Sequence, residues 1–419
     1  MSAPEVETDH AEALSWSILL RVFLPFAGGY FLSYLYRTVN AVIAPDLVQS
    51  LNLNAADLGL LTSMYFLTFA LFQLPLGVLL DRFGPRRVEA VLLLFAAAGA
   101  LLFALSDGRS GLLLGRALIG LGVSACLMAS FKAFVIWFPP LRLPAVNGWI
   151  MAAGGLGALA ATAPVEAALR ITDWRGLFLG LSVATWIIAA AVFWVVPERS
   201  GRSGGGTLRE QWQGVGSIFR SRLFWRIVPL TVLSQATFMA IQGLWAGPWL
   251  RDVAGLERST MASYLLLIAA AMVAGYLSVG TLAVWLSRFN IRPLAVAAGG
   301  MLLFMLTQLA IVVVWTSTIL PLWMLFGFFG TSGIVTYAAL SQQFPPWLAG
   351  RVNTALNLLV FIAAFIGQWS IGAIIGHWSQ EDGYAPPGYQ VAFGMVLVLQ
   401  VVAFVWLLLG NRRSTGEKT

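Results

Sequence analysis

Of the 419 residues, 59% are hydrophobic and 10% charged, against roughly 25% charged in an ordinary soluble domain. This excludes a soluble enzyme, a nucleic-acid binder and a disordered chain, and the net charge of +7 comes from unevenly placed loop residues, not a nucleic-acid-binding face. One cysteine, Cys126, leaves no disulfide framework or Cys-rich metal site, and His10 and His377 leave little imidazole chemistry. Neither a metal nor another cofactor is expected.

A helix crossing a roughly 30 Å hydrocarbon core needs about 20 mostly apolar residues. The chain opens with Glu5, Glu7, Asp9 and Glu12, unlike the basic start of a secretory signal, so the first span is expected to stay. That span runs from about Val22 to Pro45 and contains Arg37. Charge-free stretches follow from Asp57 to Asp81 and from Glu89 to Asp107. The fourth span, about Leu112 to Phe138, carries Arg116 and Lys132, and the stretches Arg142 to Glu166 and Arg175 to Glu198 complete six. A hydrophilic piece from about Glu198 to Arg226 includes Ser203-Gly204-Gly205-Gly206 and reads as a flexible linker. Beyond it come Arg226 to Arg251 and Arg258 to Arg288. Two spans share the stretch from Arg292 to Arg351, parted by a turn around Ser317 to Pro321. Arg351 to Glu381 and Asp382 to Arg412 end the series.

The pattern predicts an all-α membrane protein with twelve transmembrane helices. Its parts are a tail over 1–20, six helices over 21–197, a linker over 198–225, six helices over 226–410 and a tail over 411–419. With the amino terminus inside, cytoplasmic segments hold 17 of the 25 basic residues and external loops hold five. Both termini are therefore expected in the cytoplasm, the chain being a multi-pass protein of a bacterial inner membrane.

The halves match at one offset. Phe138-Pro139-Pro140 with Val146-Asn147 recurs 206 residues later as Phe344-Pro345-Pro346 with Val352-Asn353. The same shift lays Asp81-Arg82-Phe83-Gly84-Pro85-Arg86 on Ser287-Arg288-Phe289-Asn290-Ile291-Arg292. Each repeat holds an even number of spans, so both sit the same way up, as two pseudo-symmetric six-helix bundles.

The string Gly77-Val78-Leu79-Leu80-Asp81-Arg82-Phe83-Gly84-Pro85-Arg86-Arg87 resembles the major facilitator signature between helices two and three, G-x-x-x-D-R-x-G-x-R-R. Parallel six-helix repeats around a midplane site are the architecture of that family. The resemblance implies that Gly77 allows close helix approach, that Gly84 permits a tight turn, and that Asp81 latches the halves at the start of helix eleven. Arg82, Arg86 and Arg87 would hold the loop in the cytoplasm. The second copy has Ser287 in place of the acid. Arg116-Ala117-Leu118-Ile119-Gly120-Leu121-Gly122 is similar to the family's R-x-x-x-G-x-G pattern, which gives Arg116 and Gly120 a structural or coupling role. The proton-linked drug exporters' G-x-x-x-G-P-x-x-G-G is absent from helix five, where Gly154-Gly155-Leu156-Gly157 and Ala163-Pro164-Val165-Glu166 stand instead.

A cation at the bilayer centre costs roughly 2.5–3.5 kcal/mol on insertion scales, so it needs a partner or a task. Tyr34-Leu35-Tyr36-Arg37-Thr38-Val39-Asn40 resembles the first-helix signature of the organic anion:cation symporter branch, whose arginine binds the substrate's anionic group. That branch often carries an acid where this chain has Tyr36. Arg37 is therefore expected to hold a carboxylate or phosphate, with Tyr34, Lys132, Gln242, Tyr337 and Asn357 as further candidate contacts. The alternative is that Arg37 snorkels to the outer surface. Trp245 and Trp249 read as an interfacial aromatic belt, and Cys126 as a packing residue.

The expectation is a monomeric importer of a small organic anion, driven by a proton or another cation, with no partners beyond substrate, coupling ion and lipid. The rivals are an exporter of amphipathic compounds and a transporter-like sensor or assembly subunit. No Asp or Glu is expected deep in a span; the coupling candidates are edge carboxylates, Glu166, Asp46 and Asp57. Replacing each by Gln or Asn should turn concentrative uptake into exchange. Undiminished pH-driven accumulation in all three variants would remove them from that role.

Overall fold

The computed structural model describes residues 16–139, 142–198, 216–313, 318–380 and 383–415. The acidic amino-terminal segment, the Ser203-Gly206 stretch and residues 314–317 of the expected turn lie outside the described residues, as does the end of the carboxyl-terminal tail. Among the described residues, helices pass the length and hydropathy required for membrane crossing twelve times, counting one bent pair as a single span.

The first half contains α1 (residues 16–51), α2 (55–83), α3 (85–105), α4 (Arg109–Trp137), α5 (Val146–Ala160 and Ala163–Leu169, bent by 41°) and α6 (Trp174–Trp194). The second contains α7 (Arg222–Asp252), α8 (Arg258–Ser287), α9 (Pro293–Val312), α10 (Ile319–Ser341), α11 (Pro346–Ile375) and α12 (Pro386–Thr415). Each is apolar over most of its length, because a lipid-facing backbone must satisfy its own hydrogen bonds and its side chains meet hydrocarbon.

An unbroken helix over Ala55–Leu105, 51 residues, would be roughly 75 Å long, more than twice the hydrocarbon thickness. Gly84 divides it: φ 78° and ψ 159° form a backbone corner that residues with a Cβ avoid. Pro85 then opens α3 with its φ already suited to a helix. The partner of this corner, 206 residues on, is Asn290, also at positive φ (61°). Asn is a residue that tolerates this region, so the repeat is preserved in backbone conformation where the side chain differs.

Helix pairing repeats as well. α1 packs on α5 as α7 packs on α11, α2 on α4 as α8 on α10, and α3 on α6 as α9 on α12. α4 and α10 also share an interruption, at Val123–Ala125 and at Gly330–Gly333. Gly120 lies at the α2 crossing: a Cβ there would meet the Tyr65 carbonyl oxygen and stand 2.7 Å from the Tyr65 Cα.

Gly84→Ala meets no atom within 4 Å, so its whole effect is conformational. It should cost on the order of 1–3 kcal/mol and lower the unfolding temperature of the purified protein. Gly148→Ala, equally uncrowded but at an ordinary φ, should leave it unchanged.

Candidate functional site

A cavity of about 520 Å³ lies between the two halves, within the roughly 300–1,000 Å³ typical of small-molecule sites. α1, α2, α4 and α5 wall it on one side; α7, α8, α10 and α11 wall it on the other. Both helix interruptions border it, through Val123 and Ser124 of α4 and Ile334 just past the break in α10. Interrupted backbone at membrane depth is tolerated where it faces such a space.

Among the described residues that line the cavity, Arg37 is the one charged side chain. Its guanidinium lies 4.5 Å from the ring centre of Tyr34, 5.3 Å from Phe361, 5.7 Å from Phe69 and 5.9 Å from Tyr65. Phe69 and Phe361 stack at 4.1 Å across the two halves. Ring faces attract a desolvated cation, and the Tyr65 hydroxyl stands within reach of it, but Arg37 Nε makes no hydrogen bond. Outward snorkelling is not what the side chain does; it points into the cavity. Tyr36, in the place of the branch's acid, turns away and shares a 2.8 Å hydrogen bond with Thr185 of α6.

Neutral polar groups form a chain across the same space. Gln73 Nε2 donates to the Ser124 carbonyl at 3.4 Å, Asn357 Nδ2 donates to Gln73 Oε1 at 3.4 Å, and the Tyr337 hydroxyl donates to Asn357 Oδ1 at 3.3 Å. Gln235 and Asn353 add amides to the wall. Of the six expected contacts, Arg37, Tyr34, Tyr337 and Asn357 share the cavity. Gln242 does not: it is buried in a π-turn of α7, with Nε2 3.6 Å from the Met272 sulfur of α8.

Lys132 is also elsewhere. It pairs with Asp81 at the edge of a groove lined by Arg82, Arg86, Arg87 and Glu198. Its ammonium reaches a carboxylate within its own half, a better partner than an apolar cavity wall. Among the described residues, the partner of Asp81 in this conformation is Lys132 of α4, not a residue at the start of α11. Gly77 lies on α2 one turn before it. Arg86 Nε donates to the Phe193 carbonyl at 2.7 Å, Arg87 pairs with Glu198, and Arg82 lies 5.2 Å over the Phe83 ring. These contacts fasten the corner at Gly84 to the end of α6.

Arg116 is fully buried and bonds Asn40 Oδ1 and, at 3.3 Å, the Tyr36 carbonyl, with Phe103 and Phe178 against its faces. It therefore clamps α4 to α1.

The halves close at the face opposite the basic loops. Arg258 of α8 grips Asp46 of α1 through Nη1–Oδ1 at 2.8 Å and Nη2–Oδ2 at 2.5 Å, a bidentate fork. Arg258 Nε lies 3.4 Å from Glu166 of α5, which also meets Arg170 at 3.5 Å. Two of the three edge carboxylates thus meet one arginine across the halves. Asp57 instead pairs with Arg109 at 2.6 Å inside the first half. Beneath this cluster, Gln368 Nε2 donates to Thr62 Oγ1 at 2.5 Å and Trp245 Nε1 to the Gln368 carbonyl at 3.1 Å. Gly372 presses on the Ala55 carbonyl, so no side chain fits there. Trp245 and Trp249 are buried in this packing, not spread along an interfacial belt, because their rings fill the junction of α7 with α11 and α10.

One residue was missed. Glu89 of α3 is fully buried, and neither carboxyl oxygen has a hydrogen-bond partner. Sequence reading takes it as the edge of a charge-free stretch; in the structure it is buried five residues past the Gly84 corner, near the start of α3.

Arg258→Ala should loosen the closed face. With Arg258 partly exposed, the loss is on the order of 1–2 kcal/mol, a five- to thirtyfold change in the conformational equilibrium. Spin labels at the exposed positions Gln49 and Thr260 should report a longer distance population in the variant. An unchanged distribution would show that the apolar packing alone holds this face.

Residues 26–367 match the profile of the Major Facilitator Superfamily. The transporter YybO of Bacillus subtilis, itself described as uncharacterized, is 34% identical over 42% of this chain and 40% of its own length. The hexuronate transporter of Escherichia coli is 26% identical over 52% of this chain and 53% of its own length. The matched stretches thus span about half or less of these relatives. A bacterial homologue of the human lysosomal transporter Spinster, in an inward-facing, unoccupied conformation, superposes with a TM-score of 0.77 at 17% identity, covering 96% of this chain and 98% of that one. Repeat, signature and profile agree over most of the sequence: the chain belongs to the Major Facilitator Superfamily.

Proposed function

We propose that the protein is a secondary transporter, not an enzyme, that takes up a small organic anion by alternating access, with Arg37 as the anchor for its carboxylate. The observation that carries this reading is the cage at Arg37: a lone cation at a neutral cavity, with aromatic faces against it and hydrogen-bonding capacity unused. A planar guanidinium takes a carboxylate through two parallel hydrogen bonds. The chain from Ser124 through Gln73 and Asn357 to Tyr337 offers donors and acceptors to hydroxyl groups. A sugar acid has that combination of one charged end and several hydroxyls, and the similarity to a hexuronate transporter supports the same class.

Arginine-rich loops place Arg82, Arg86 and Arg87 on the cytoplasmic side, with both termini. The Arg258 cluster then seals the periplasmic side of an inner-membrane protein, and the conformation opens toward the cytoplasm. Coupling to protons fits Asp46 and Glu166, since protonating either weakens its hold on Arg258. A monomer suffices, because each chain contains both halves of the cavity.

An exporter of amphipathic compounds is the second reading, favoured by Phe131, Met128, Met151 and Met239 in the same lining. Proteoliposome uptake of galacturonate, with and without an imposed proton gradient, separates the two. Arg37→Ala should abolish uptake while the protein reaches the membrane normally. Arg37→Lys keeps the charge but loses the fork, and should weaken binding roughly ten- to a hundredfold, or about 1.5–3 kcal/mol. Wild-type affinity in Arg37→Ala would favour the exporter.

A further inference from the structure

Glu89 lies five residues past the Gly84 corner, on the face of α3 that meets α1 and α4. The α1 residue against it is Gly29, where a Cβ would collide with Glu89 Oε1 and stand 3.6 Å from the Cys126 sulfur of α4. Glycine at position 29 therefore makes room for a carboxyl group. The thiol beside it is a weak donor, and neither oxygen has any stronger hydrogen-bond partner.

The charges on the surrounding helices are engaged elsewhere. On α1, the Tyr30 hydroxyl turns to Met151 and Arg37 to its aromatic cage. On α4, Lys132 pairs with Asp81 of α2 and Arg116 bonds Asn40. Tyr65 of α2 bonds Ser33, and Arg175 at the start of α6 holds Asp107 at the far end of α3. An ionised carboxylate in an apolar pocket without a partner is so costly that such groups take up a proton instead. The pocket fits the neutral acid alone.

We propose that Glu89 is a proton-binding site that links pH to the position of α1. Neutral, it lets Gly29 close on α3 and α4; ionised, it requires water or a cation, and α1 must move to admit either. The proton comes from bulk water and returns to it, and no other bond changes. α1 is the helix through which such movement matters, because it carries Arg37 to the cavity and Asp46 to the closed face. It also contains a π-turn at Leu19–Phe23, below Gly29, a local irregularity at which helices bend. Binding of the proton and the conformation of α1 are then linked: through Glu89, acid pH favours the described conformation and alkaline pH depletes it, opposite in sign to protonation of Asp46 or Glu166. This proposal goes beyond the substrate reading and does not require it.

Two measurements on the full-length protein test it without any substrate. Infrared titration between pH 5 and 9 should show a protonated-carboxyl band in the wild type that Glu89→Gln removes. The spin-label distance between positions 49 and 260 should change less with pH in Glu89→Gln than in the wild type, the remaining response being that of Asp46 and Glu166 at Arg258. Glu89→Leu, a second neutral side chain, should behave the same way if the amide disturbs folding. A pH response in either variant equal to the wild type's, or a wild-type spectrum without a band that these variants lose, would overturn the proposal. Loss of galacturonate binding in Arg37→Ala bears only on the substrate reading, so the two fail independently.

Discussion

A permanently charged guanidinium held inside the membrane without a carboxylate beside it is the constraint around which this molecule is arranged. Arg37 cannot shed its proton, and water is the partner that hydrocarbon denies it. The chain answers with ring faces from three helices, Tyr34 on α1, Tyr65 and Phe69 on α2, and Phe361 on α11. Rings stabilise the charge without neutralising it, since they offer attraction to the faces but no acceptor for the N–H groups. A carboxylate in that position would neutralise the charge that the rings leave in place.

Because Phe361 belongs to the second half, the cage is complete only while the halves are together. Closure at the other face has two components of different character. The packing of Gly372 on the Ala55 backbone is apolar, short-ranged and unforgiving of added atoms. The fork from Arg258 to Asp46, with Glu166 alongside, is directional and responsive to charge. The first component makes the closed face tight; the second makes its strength depend on charge. Arg116 and Asn40 clamp the same helix that carries Arg37 and Asp46.

The buried acids and cations in the first half have sharply different surroundings. Lys132 has Asp81, Arg116 has an amide, a carbonyl and two rings, Arg37 has four rings and the Tyr65 hydroxyl, and Glu89 has a thiol and a glycine. The second half repeats the helix pairing yet has uncharged amides and hydroxyls at comparable depth, as at Gln235, Tyr337 and Asn357. Identical architecture therefore supports unequal work: one half holds the charge, and the other supplies neutral hydrogen bonds opposite it.

Sequence alone determined the number of helices, their order and their duplication, because hydrocarbon thickness and the absence of water act on every span in the same way. It also determined the corner at Gly84, through a residue type that the backbone there requires, and the repeat foretold its partner at Asn290. It singled out Arg37, since a lone cation in an apolar run has few explanations. Tertiary structure decided what each polar side chain meets. Lys132 and Gln242 share the depth and spacing of cavity residues, yet rotation about their helix axes directs one to Asp81 and the other to Met272. Trp245 and Trp249 have the position of an interfacial belt, but face inward at a junction that linear sequence does not reveal. Glu89 lies close enough to a loop to read as its edge, and only the approach of Gly29 and Cys126 takes it out of water. Helix periodicity gives a residue's height in the membrane; which neighbour occupies the space beside it depends on packing between distant segments.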